Sequence, residues 1–228
     1  RQGKQTAERE SDRCVVPEKP GNAGGGKAAT PTRSGDRAPT GRSDGRSVLT
    51  RLNYITERAQ KHTEEVFTNL YHLLTYELLW YAFRKLKRHQ APGVDGVSVE
   101  DYEANLRENL LGLADRLKRQ AYRPQPSLRR LIPKGNNKTR PLGIACVEDK
   151  IVQRAIVMIL ERIYEVDFFD CSYGFRPDRS CHDALRALDQ IIHRGKVNWI
   201  SDSDIRGYFD NVEHERLEEV LRIRIRDP

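Results

Sequence analysis

Residues 128–144 read Leu-Arg-Arg-Leu-Ile-Pro-Lys-Gly-Asn-Asn-Lys-Thr-Arg-Pro-Leu-Gly-Ile. The first seven and the last six residues have strand character, and the Gly-Asn-Asn-Lys between them is typical of a tight turn. The stretch therefore predicts a β-hairpin. Pro133 and Pro141 favour the edges of a sheet, because proline cannot donate a hydrogen bond to a neighbouring strand.

The hairpin region is strongly basic, with nine basic residues and no acidic one from Arg116 to Arg140. Lys134 and Arg140 lie on opposite arms close to the turn and could hold one phosphate group from two sides. Arginine makes bidentate contacts with phosphate, and lysine acts as a point charge. A solvated hairpin whose lysines discourage edge-to-edge pairing is the plainer interpretation. The run of charges favours a phosphate-contacting surface.

Helical periodicity on both sides of the hairpin predicts a mainly helical chain. Thr75 is a predicted N-cap. Two Ser-x-x-Asp pairs, Ser98 with Asp101 and Ser180 with Asp183, predict capping boxes. The predicted helical segments cover approximately residues 52–74, 77–86, 98–117, 148–164, 180–192 and 213–225. Two of them have a predicted buried apolar stripe: Tyr102, Leu106, Leu110, Leu113 and Leu117 in the third, and Ile151, Val152, Ala155, Ile156, Ile159, Leu160 and Ile163 in the fourth.

The segment Val197-Asn-Trp-Ile-Ser-Asp-Ser-Asp204 alternates and predicts a strand with Asp202 and Asp204 on one face. Carboxylates at the end of a strand can hold Mg²⁺ through oxygen ligands, and bound Mg²⁺ can clamp a phosphoryl group during transfer. Gly207 permits a tight turn directly afterwards, and two aromatic residues follow it. Two solvated acids at a strand end are the plainer interpretation, and spacing alone does not raise catalysis above it.

Composition excludes several classes of protein. The 228 residues carry 40 lysines and arginines against 33 acidic residues, and the net charge of +7 is by itself weak evidence for a polyanionic partner. Residues 1–50 contain no aromatic residue, and 21 of the 50 are Gly, Pro, Ser or Thr, so we expect a disordered leader. Without a run of 18 apolar residues or an apolar signal segment, we expect neither a membrane span nor secretion. The four cysteines form no Cys-x-x-Cys pair, which indicates reduced thiols in a cytoplasmic protein.

Four motifs, in order along the chain, carry a resemblance to a known family. They are Ala91-Pro-Gly-Val-Asp-Gly-Val97; Ile132-Pro-Lys134 with Arg140-Pro-Leu-Gly-Ile144; Ser172-Tyr-Gly-Phe-Arg-Pro177 with Arg179-Ser180; and Asp204-Ile-Arg-Gly-Tyr-Phe-Asp-Asn211. From about residue 78 to residue 228, the chain resembles the bacterial group II intron reverse transcriptase/maturase family.

The resemblance implies an α+β fold, with the fingers of a right-hand-shaped RNA-directed DNA polymerase and the start of its palm, truncated before the palm is complete. Residues 1–50 would be the leader. Residues 51–195 would be the helical N-terminal region and the fingers with the basic hairpin, and residues 196–228 the start of the palm.

The family's metal and nucleotide ligands match residues of this chain. Asp204 matches the first catalytic aspartate, which binds Mg²⁺, and the backbone carbonyl of Ile205 is a neighbouring ligand. Neither Asp202 nor Asp210 is assigned as a metal ligand. Lys134 and Arg140 match the residues that hold the nucleotide triphosphate. Phe209 matches the aromatic residue that packs under the sugar and rejects a ribose 2′-OH.

The resemblance also implies contacts with nucleic acid. The loop 91–97 lies near the incoming template strand in that family, which points to Gly93, Asp95 and Gly96. The hairpin would contact RNA through Arg129, Arg130 and Lys138. The implied partners are intron or template RNA, a DNA primer and deoxynucleoside triphosphates.

A two-metal polymerase needs further carboxylates, which the family supplies in a later Tyr-x-Asp-Asp hairpin. The sequence contains no Asp-Asp pair, so we expect that this chain does not polymerise DNA alone. The leading hypothesis is the N-terminal portion of a group II intron reverse transcriptase with roles in intron splicing and mobility. The alternatives are a non-catalytic RNA-binding fingers module and a degenerate fragment with an uncovered apolar face.

Overall fold

The computed structural model describes residues 47–134 and 138–227. Most of the predicted leader and the Gly-Asn-Asn tip of the hairpin lie outside these residues. The described part contains short 3₁₀ turns at Tyr71–Leu73 and Phe209–Asn211 and these helices and strands: α1 Val48–Lys61, α2 Tyr76–Arg84, α3 Val99–Ala104, α4 Leu106–Lys118, β1 Leu128–Lys134, β2 Lys138–Ile144, α5 Val147–Tyr164, α6 Cys181–Arg194 and α7 His214–Arg222. The α+β prediction is confirmed at this level, as helices with one two-stranded antiparallel sheet.

Helix α5 forms the centre of the helical core, because it packs against both α1 and α2, and α2 packs in turn against α4. Most of its predicted apolar stripe is confirmed by the burial of Ile151, Val152, Ala155, Ile159 and Ile163. Ile156 belonged to the same predicted stripe but is 40% exposed. The buried face of α5 is therefore narrower than the sequence pattern predicted.

The predicted helix starts are confirmed by their capping contacts. Ser98 and Ser180 each accept a hydrogen bond from the backbone N–H three residues later, and Asp101 and Asp183 each return one, which completes both capping boxes. The serine hydroxyls that donate to these carboxylates lower the pKa of both aspartates. Thr75 caps α2 through its side-chain oxygen.

The first helix begins before the predicted boundary of the leader. Ser47 is its N-cap, and Val48 is buried in the core. The backbone N–H of Val48 donates to the carboxylate of Glu77, at 3.1 Å. Glu77 is itself buried, so its charge is placed against the positive end of the α1 dipole.

The helix predicted over residues 98–117 is divided into α3 and α4. Asn105 separates the two with φ of −120° and ψ of 36°, which lies outside the helical region. Four of the five predicted apolar positions are nevertheless buried, at Tyr102, Leu110, Leu113 and Leu117, and the fifth, Leu106, is half-buried.

Residues 62–70 are not helical, although their apolar spacing predicted a helix up to residue 74, and only the 3₁₀ turn at Tyr71–Leu73 follows them. Phe67 instead forms a parallel bridge with Ile225. The N–H of Phe67 donates to the carbonyl of Arg224 at 2.7 Å, and its carbonyl accepts from the N–H of Arg226 at 2.9 Å. The apolar residues of this segment are therefore buried partly against the end of the chain, a contact that local periodicity cannot reveal.

Arg224 is a buried charge that strengthens this contact. Its guanidinium donates to the carbonyl of Thr63 and lies 5.8 Å from the centre of the Phe67 ring. Its Nε is 3.0 Å from a carboxylate oxygen of Asp167, an ion pair by distance that lacks the direction of a hydrogen bond. These contacts join the residues after α7 to the segments that follow α1 and α5.

Residues 197–204 do not form the predicted strand. All eight are exposed and have no regular backbone structure. Within the described residues no strand lies beside this segment, and an extended segment without a partner gains no ladder hydrogen bonds. Helix α6 is also uncovered, since none of its residues is buried and its apolar side is exposed at Leu185, Leu188, Ile191 and Ile192.

None of the helices in the described residues combines the length and apolar character needed to cross a bilayer. Cys146, Cys171 and Cys181 are free thiols. The fourth cysteine, Cys14, lies outside the described residues.

Two leucines of α4 test the assignment of the core. Leu113 is fully buried, and Leu111 is 47% exposed on the same helix. We expect Leu113→Ala to lower the free energy of unfolding by about 2–5 kcal/mol, since it leaves a cavity in the core. We expect Leu111→Ala to change it by no more than about 1 kcal/mol, because the site is exposed. Urea unfolding measures both, and equal losses would contradict the packing of α4.

Candidate functional site

The register of the hairpin determines which side chains share a face. Arg130 pairs with Leu142, Ile132 with Arg140, and Lys134 with Lys138. Because directly opposed residues of an antiparallel pair lie on the same face and alternate along each strand, Arg130, Lys134 and Arg140 share one face. The side chain of Lys138 lies outside the described residues.

The other face of the hairpin has a different character. Arg129 pairs with Gly143, Leu131 with Pro141, and Pro133 with Thr139. This face therefore carries Arg129 and the exposed Leu131 side chain among small and cyclic residues. The two arginines predicted to contact RNA, Arg129 and Arg130, thus point to opposite sides of the hairpin.

The charges of the hairpin are not neutralised by the protein. Within the described residues, no carboxylate forms an ion pair with Arg129, Arg130, Lys134 or Arg140. The basic residue just upstream differs, because Arg116 Nη2 lies 2.7 Å from both carboxylate oxygens of Glu148. The hairpin therefore presents positive charge that is available to an anion.

Both ends of the hairpin meet the first turn of α5. β2 runs directly into α5, with only Ala145 and Cys146 between them. The chain entering β1 is held by Asp149, whose carboxylate accepts hydrogen bonds from the Tyr122 hydroxyl and from the Gln125 backbone N–H, the latter at 3.1 Å. Asp149 is 3% exposed, so these are contacts of a buried carboxylate.

Two tyrosine hydroxyls donate to this acidic turn. Burial raises the pKa of Tyr122, and its hydrogen bond to Asp149 raises it further. Burial likewise raises the pKa of Tyr102, whose hydroxyl donates to Glu148 at 3.2 Å. Both phenols therefore remain protonated donors across the physiological pH range.

The loop 91–97 packs on the same turn. Gly93 is buried, and a Cβ atom there would lie 2.6 Å from Cys146 Cα and 2.7 Å from its Sγ. Lys150 Nζ donates to the carbonyl of Ala91 at 2.9 Å. The predicted template residue Gly93 therefore has a packing role that requires glycine.

The tip of this loop is exposed. Gly96 has φ of +70°, a conformation that glycine adopts without strain. Asp95 accepts a hydrogen bond from the N–H of Val97 at 3.2 Å, which closes the turn. Asp95 and Gly96 are accessible to a ligand, and their contact with template remains a prediction.

Asp204 lies at the start of a well-formed turn. Gly207 has φ of +60°, and its carbonyl accepts hydrogen bonds from the Asp210 N–H at 3.2 Å and the Asn211 side chain at 2.7 Å. The ring of Phe209 packs edge-on against Tyr208, with 5.2 Å between centroids, and is 86% exposed. The turn forms an open depression bordered by residues 203–205 and 207–210.

The carboxylates near this turn do not by themselves form a metal centre. Asp202, Asp204 and Asp210 are all exposed. Exposure therefore does not indicate which of the three binds a metal ion. No group of three or more His, Cys, Asp or Glu side chains in the described residues is arranged to hold a metal ion. Asp204 and the carbonyl of Ile205 can supply two oxygen ligands, which suits a Mg²⁺ ion completed by water and substrate phosphates.

The hairpin and Asp204 do not share a cavity. The depression at Asp204 is bordered only by its own turn, so among the described residues neither Lys134 nor Arg140 reaches it. That Lys134, Arg140 and Asp204 act on one nucleotide stays a prediction.

Arg176 of the Tyr-Gly-Phe-Arg-Pro motif organises the loop before α6. Its guanidinium donates to the Glu165 carboxylate at 2.8 and 3.0 Å and to the carbonyls of Phe169 and Ser172 at 2.8 and 2.9 Å. Its side chain is 5% exposed. In addition to the family resemblance that its motif carries, Arg176 therefore organises this loop.

Asp149 and Tyr122 belong to none of the motifs that predict functional residues in the sequence. The available signal was the Glu148-Asp149 pair, the first acids after a basic run that begins at Arg116. An acidic pair in the first turn of a helix has an ordinary explanation in the helix dipole. Only the fold shows that these acids hold the ends of the hairpin.

Comparison with known proteins defines the class. The family model described as reverse transcriptase (RNA-dependent DNA polymerase) matches residues 132–225, which include Arg140, Asp204 and Phe209. This match covers less than half of the chain.

Individual relatives narrow this class. The chain is 37% identical over 178 residues to the group II intron-encoded protein LtrA of Lactococcus lactis subsp. cremoris, covering 77% of this chain and 29% of the relative. It is 44% identical over 144 residues to protein YkfC of Escherichia coli K12, covering 62% and 38%. It is 32% identical over 191 residues to an uncharacterized 91 kDa protein in the cob intron of Schizosaccharomyces pombe, covering 82% and 23%.

The chain belongs to the group II intron reverse transcriptase/maturase family. It spans less than two fifths of the length of each of these three relatives.

The packing of the 91–97 loop can be tested with one substitution and a matched control. We expect Gly93→Ala to lower the free energy of unfolding by about 1–3 kcal/mol, because the added methyl overlaps the backbone of Cys146. In the control, Gly112→Ala, the new methyl meets no atom within 4 Å on α4. We expect it to be neutral or to stabilise by up to about 1 kcal/mol. A Gly93→Ala chain as stable as wild type would contradict the close contact.

Proposed function

We propose that this chain supplies the fingers and the first catalytic segment of an RNA-directed DNA polymerase that acts on group II intron RNA. The observation that carries the proposal is an unneutralised basic hairpin and an exposed Asp204–Phe209 turn within the span that matches the reverse transcriptase family. In the proposed reaction, the primer 3′-OH attacks the α-phosphate of a deoxynucleoside triphosphate. A bond forms between O3′ and the α-phosphorus, and the bond between the α-phosphorus and the oxygen that bridges it to the β-phosphorus breaks. Pyrophosphate leaves with that oxygen, and the hydroxyl proton passes to solvent.

The hairpin would bind the triphosphate. Lys134 and Arg140 lie on one face of adjacent strands as diagonal neighbours, a separation that long side chains can bridge. Neither charge is paired with a carboxylate in the described residues. Two cations on one face can neutralise the phosphates and favour departure of pyrophosphate through electrostatic stabilisation.

Asp204 would be a ligand of Mg²⁺, together with the backbone carbonyl of Ile205. When bound, Mg²⁺ neutralises charge that develops on the transferred phosphoryl group. The carboxylate is exposed and has no hydrogen-bond or ion-pair partner in the described residues, so no existing contact must break before it binds a cation.

Phe209 would select the sugar. Its ring is braced by the edge of Tyr208 and projects from the same turn as Asp204. A rigid ring below the sugar excludes an added 2′-hydroxyl by its bulk. This role makes deoxynucleotides the preferred substrates.

RNA binding without catalysis is the second candidate function, and one observation favours it. The hairpin is fully paired in this chain, whereas the segment before Asp204 has no neighbouring strand among the described residues. The basic residues can therefore contact RNA independently of the Asp204 turn. In either case the proposed partner is intron RNA, and the proposed location is the cytoplasm, where free thiols persist.

The catalytic assignment is tested in a chimera, with this chain joined to the C-terminal part of LtrA that follows the matched region. We expect RNA-templated primer extension that needs Mg²⁺. We expect Asp204→Ala to reduce the rate by about 100-fold or more, as when one electrostatic contact with the reacting group is lost.

Asp202→Ala is the matched control, since it removes an equally exposed carboxylate two residues earlier. We expect the Asp202→Ala chimera to retain nearly full extension activity. Full activity of the Asp204→Ala chimera would contradict the assignment of the metal ligand.

RNA binding is tested with this chain alone, by titrating single-stranded RNA at several salt concentrations. We expect affinity to fall as salt rises. We expect Arg130→Ala to reduce the slope of log affinity against log salt by about 0.7, the value for one lost phosphate contact on a single strand.

The control for this titration is Arg216→Ala. It removes the same charge from α7, where Arg216 is already paired with Glu219 at 2.8 Å. An equal change of slope in both variants, or binding that does not respond to salt, would count against the hairpin as the RNA-contacting surface.

A further inference from the structure

The orientation of the hairpin depends on its two ends. No described side chain in β1 or β2 is fully buried. The strands therefore lack the core contacts that would hold them at a set angle to the helices. Their direction is determined where the chain enters β1 and where it leaves β2.

These two ends are attached to one turn of one helix by different means. The exit from β2 is covalent, through Ala145 and Cys146 into α5. The chain that enters β1 is attached to α5 by hydrogen bonds. Asp149 accepts one from the Tyr122 hydroxyl and one from the backbone N–H of Gln125. The ring of Tyr122 also packs against the hydrophobic core, but Asp149 supplies the polar contacts that hold the backbone at Gln125, three residues before β1.

A neighbouring acid supports the same attachment. Glu148 accepts two hydrogen bonds from Arg116 near the end of α4, each at 2.7 Å. The chain from Arg116 to Tyr122 is thus held at both ends by the first turn of α5. Asp149 holds the end that leads into the hairpin.

Small changes at this point are amplified at the tip. Lys134 is the seventh residue of β1 and, at about 3.3 Å per residue, lies roughly 20 Å from the first. A rotation of about 5° at the base displaces such an arm by about 2 Å. Binding groups must be held within about 0.5 Å of their productive position, so the attachment of the base controls the position of the cation.

We propose that Asp149, acting through Tyr122 and the Gln125 backbone, is a positioning residue for nucleotide binding by the hairpin. This inference rests on the proposed function, because it assumes that Lys134 and Arg140 hold the triphosphate. Asp149 itself does not touch the nucleotide. Its effect is to keep the two arms at one angle to the core before the nucleotide arrives.

The variant that tests the proposal is Tyr122→Phe, which removes one hydroxyl from Asp149 and leaves the ring in place. The matched control is Tyr71→Phe, which removes a hydroxyl that donates to the Leu117 carbonyl at 2.6 Å, in the last turn of α4, and that does not contact Asp149. Thermal unfolding of this chain measures the stability cost of each substitution. Hydrogen exchange followed by mass spectrometry measures the mobility of residues 122–144.

We expect Tyr122→Phe to accelerate exchange in residues 122–144 and Tyr71→Phe to leave that segment unchanged. The second readout is the Kd for dATP in the presence of Mg²⁺, from amide chemical shifts of the isotopically labelled chain. We expect Tyr122→Phe to raise this Kd about tenfold, which corresponds to about 1.4 kcal/mol. We expect Tyr71→Phe to leave it unchanged.

The outcomes separate this inference from the proposed function. Binding of dATP that Arg140→Ala abolishes and Tyr122→Phe weakens supports both. Binding that Arg140→Ala abolishes but Tyr122→Phe leaves unchanged overturns the positioning role alone. Absence of binding by the wild-type chain overturns the nucleotide role of the hairpin, and the positioning role with it. A rise in Kd that Tyr71→Phe reproduces would make the effect one of general stability and would overturn the inference.

Discussion

The arrangement of the hairpin and the 91–97 loop on the helical core depends on the first turn of α5, where the buried carboxylate of Asp149 accepts two hydrogen bonds. A carboxylate removed from water must be compensated by hydrogen bonds, and here the donors are Tyr122 and Gln125, which lead into the hairpin. In the same turn of α5, Glu148 accepts hydrogen bonds from Arg116, and Cys146, the N-cap residue, packs against Gly93. One helical turn therefore joins the helical core, the hairpin and the 91–97 loop.

The two regions of the chain obtain their order in different ways. The helices α1, α2, α4 and α5 bury apolar side chains against one another, and this burial holds them together. From residue 181 to residue 220 no described side chain is fully buried, and α6 exposes its apolar side. An apolar surface of this kind is typical of a region that contacts another polypeptide segment. The turn at Asp204 nevertheless keeps its local shape, because Gly207 and Asn211 close it with short-range hydrogen bonds.

The helical region and the hairpin also differ in how their positive charges are paired. Several arginines of the helical region are paired with carboxylates, as Arg116 is with Glu148, whereas the basic side chains of the hairpin have no carboxylate partner in the described residues. Positive charge left without a partner is suited to phosphate. The hairpin has two different faces, so a ligand of the Lys134–Arg140 face and a ligand of the Arg129 face would approach from opposite sides.

Local patterns were sufficient to predict the capping boxes at Ser98 and Ser180, the hairpin, and the long helix α5. Each of these is formed by residues close in sequence, and their periodicity or turn chemistry is visible in the chain itself. The motifs also indicated the family, which the comparisons confirmed. The site residues Asp204, Lys134 and Arg140 came from the resemblance, and their roles remain predictions.

What the sequence determined by itself was therefore the set of local elements and the family, since both depend on neighbouring residues. Only the tertiary structure decided that residues 197–204 are not a strand here, because a strand needs a partner that local alternation cannot supply. It also decided that Phe67 pairs with Ile225 and that Asp149 holds the base of the hairpin. Those contacts join residues that are distant or unpatterned in sequence, and burial, which gives them their energy, exists only once the chain has folded.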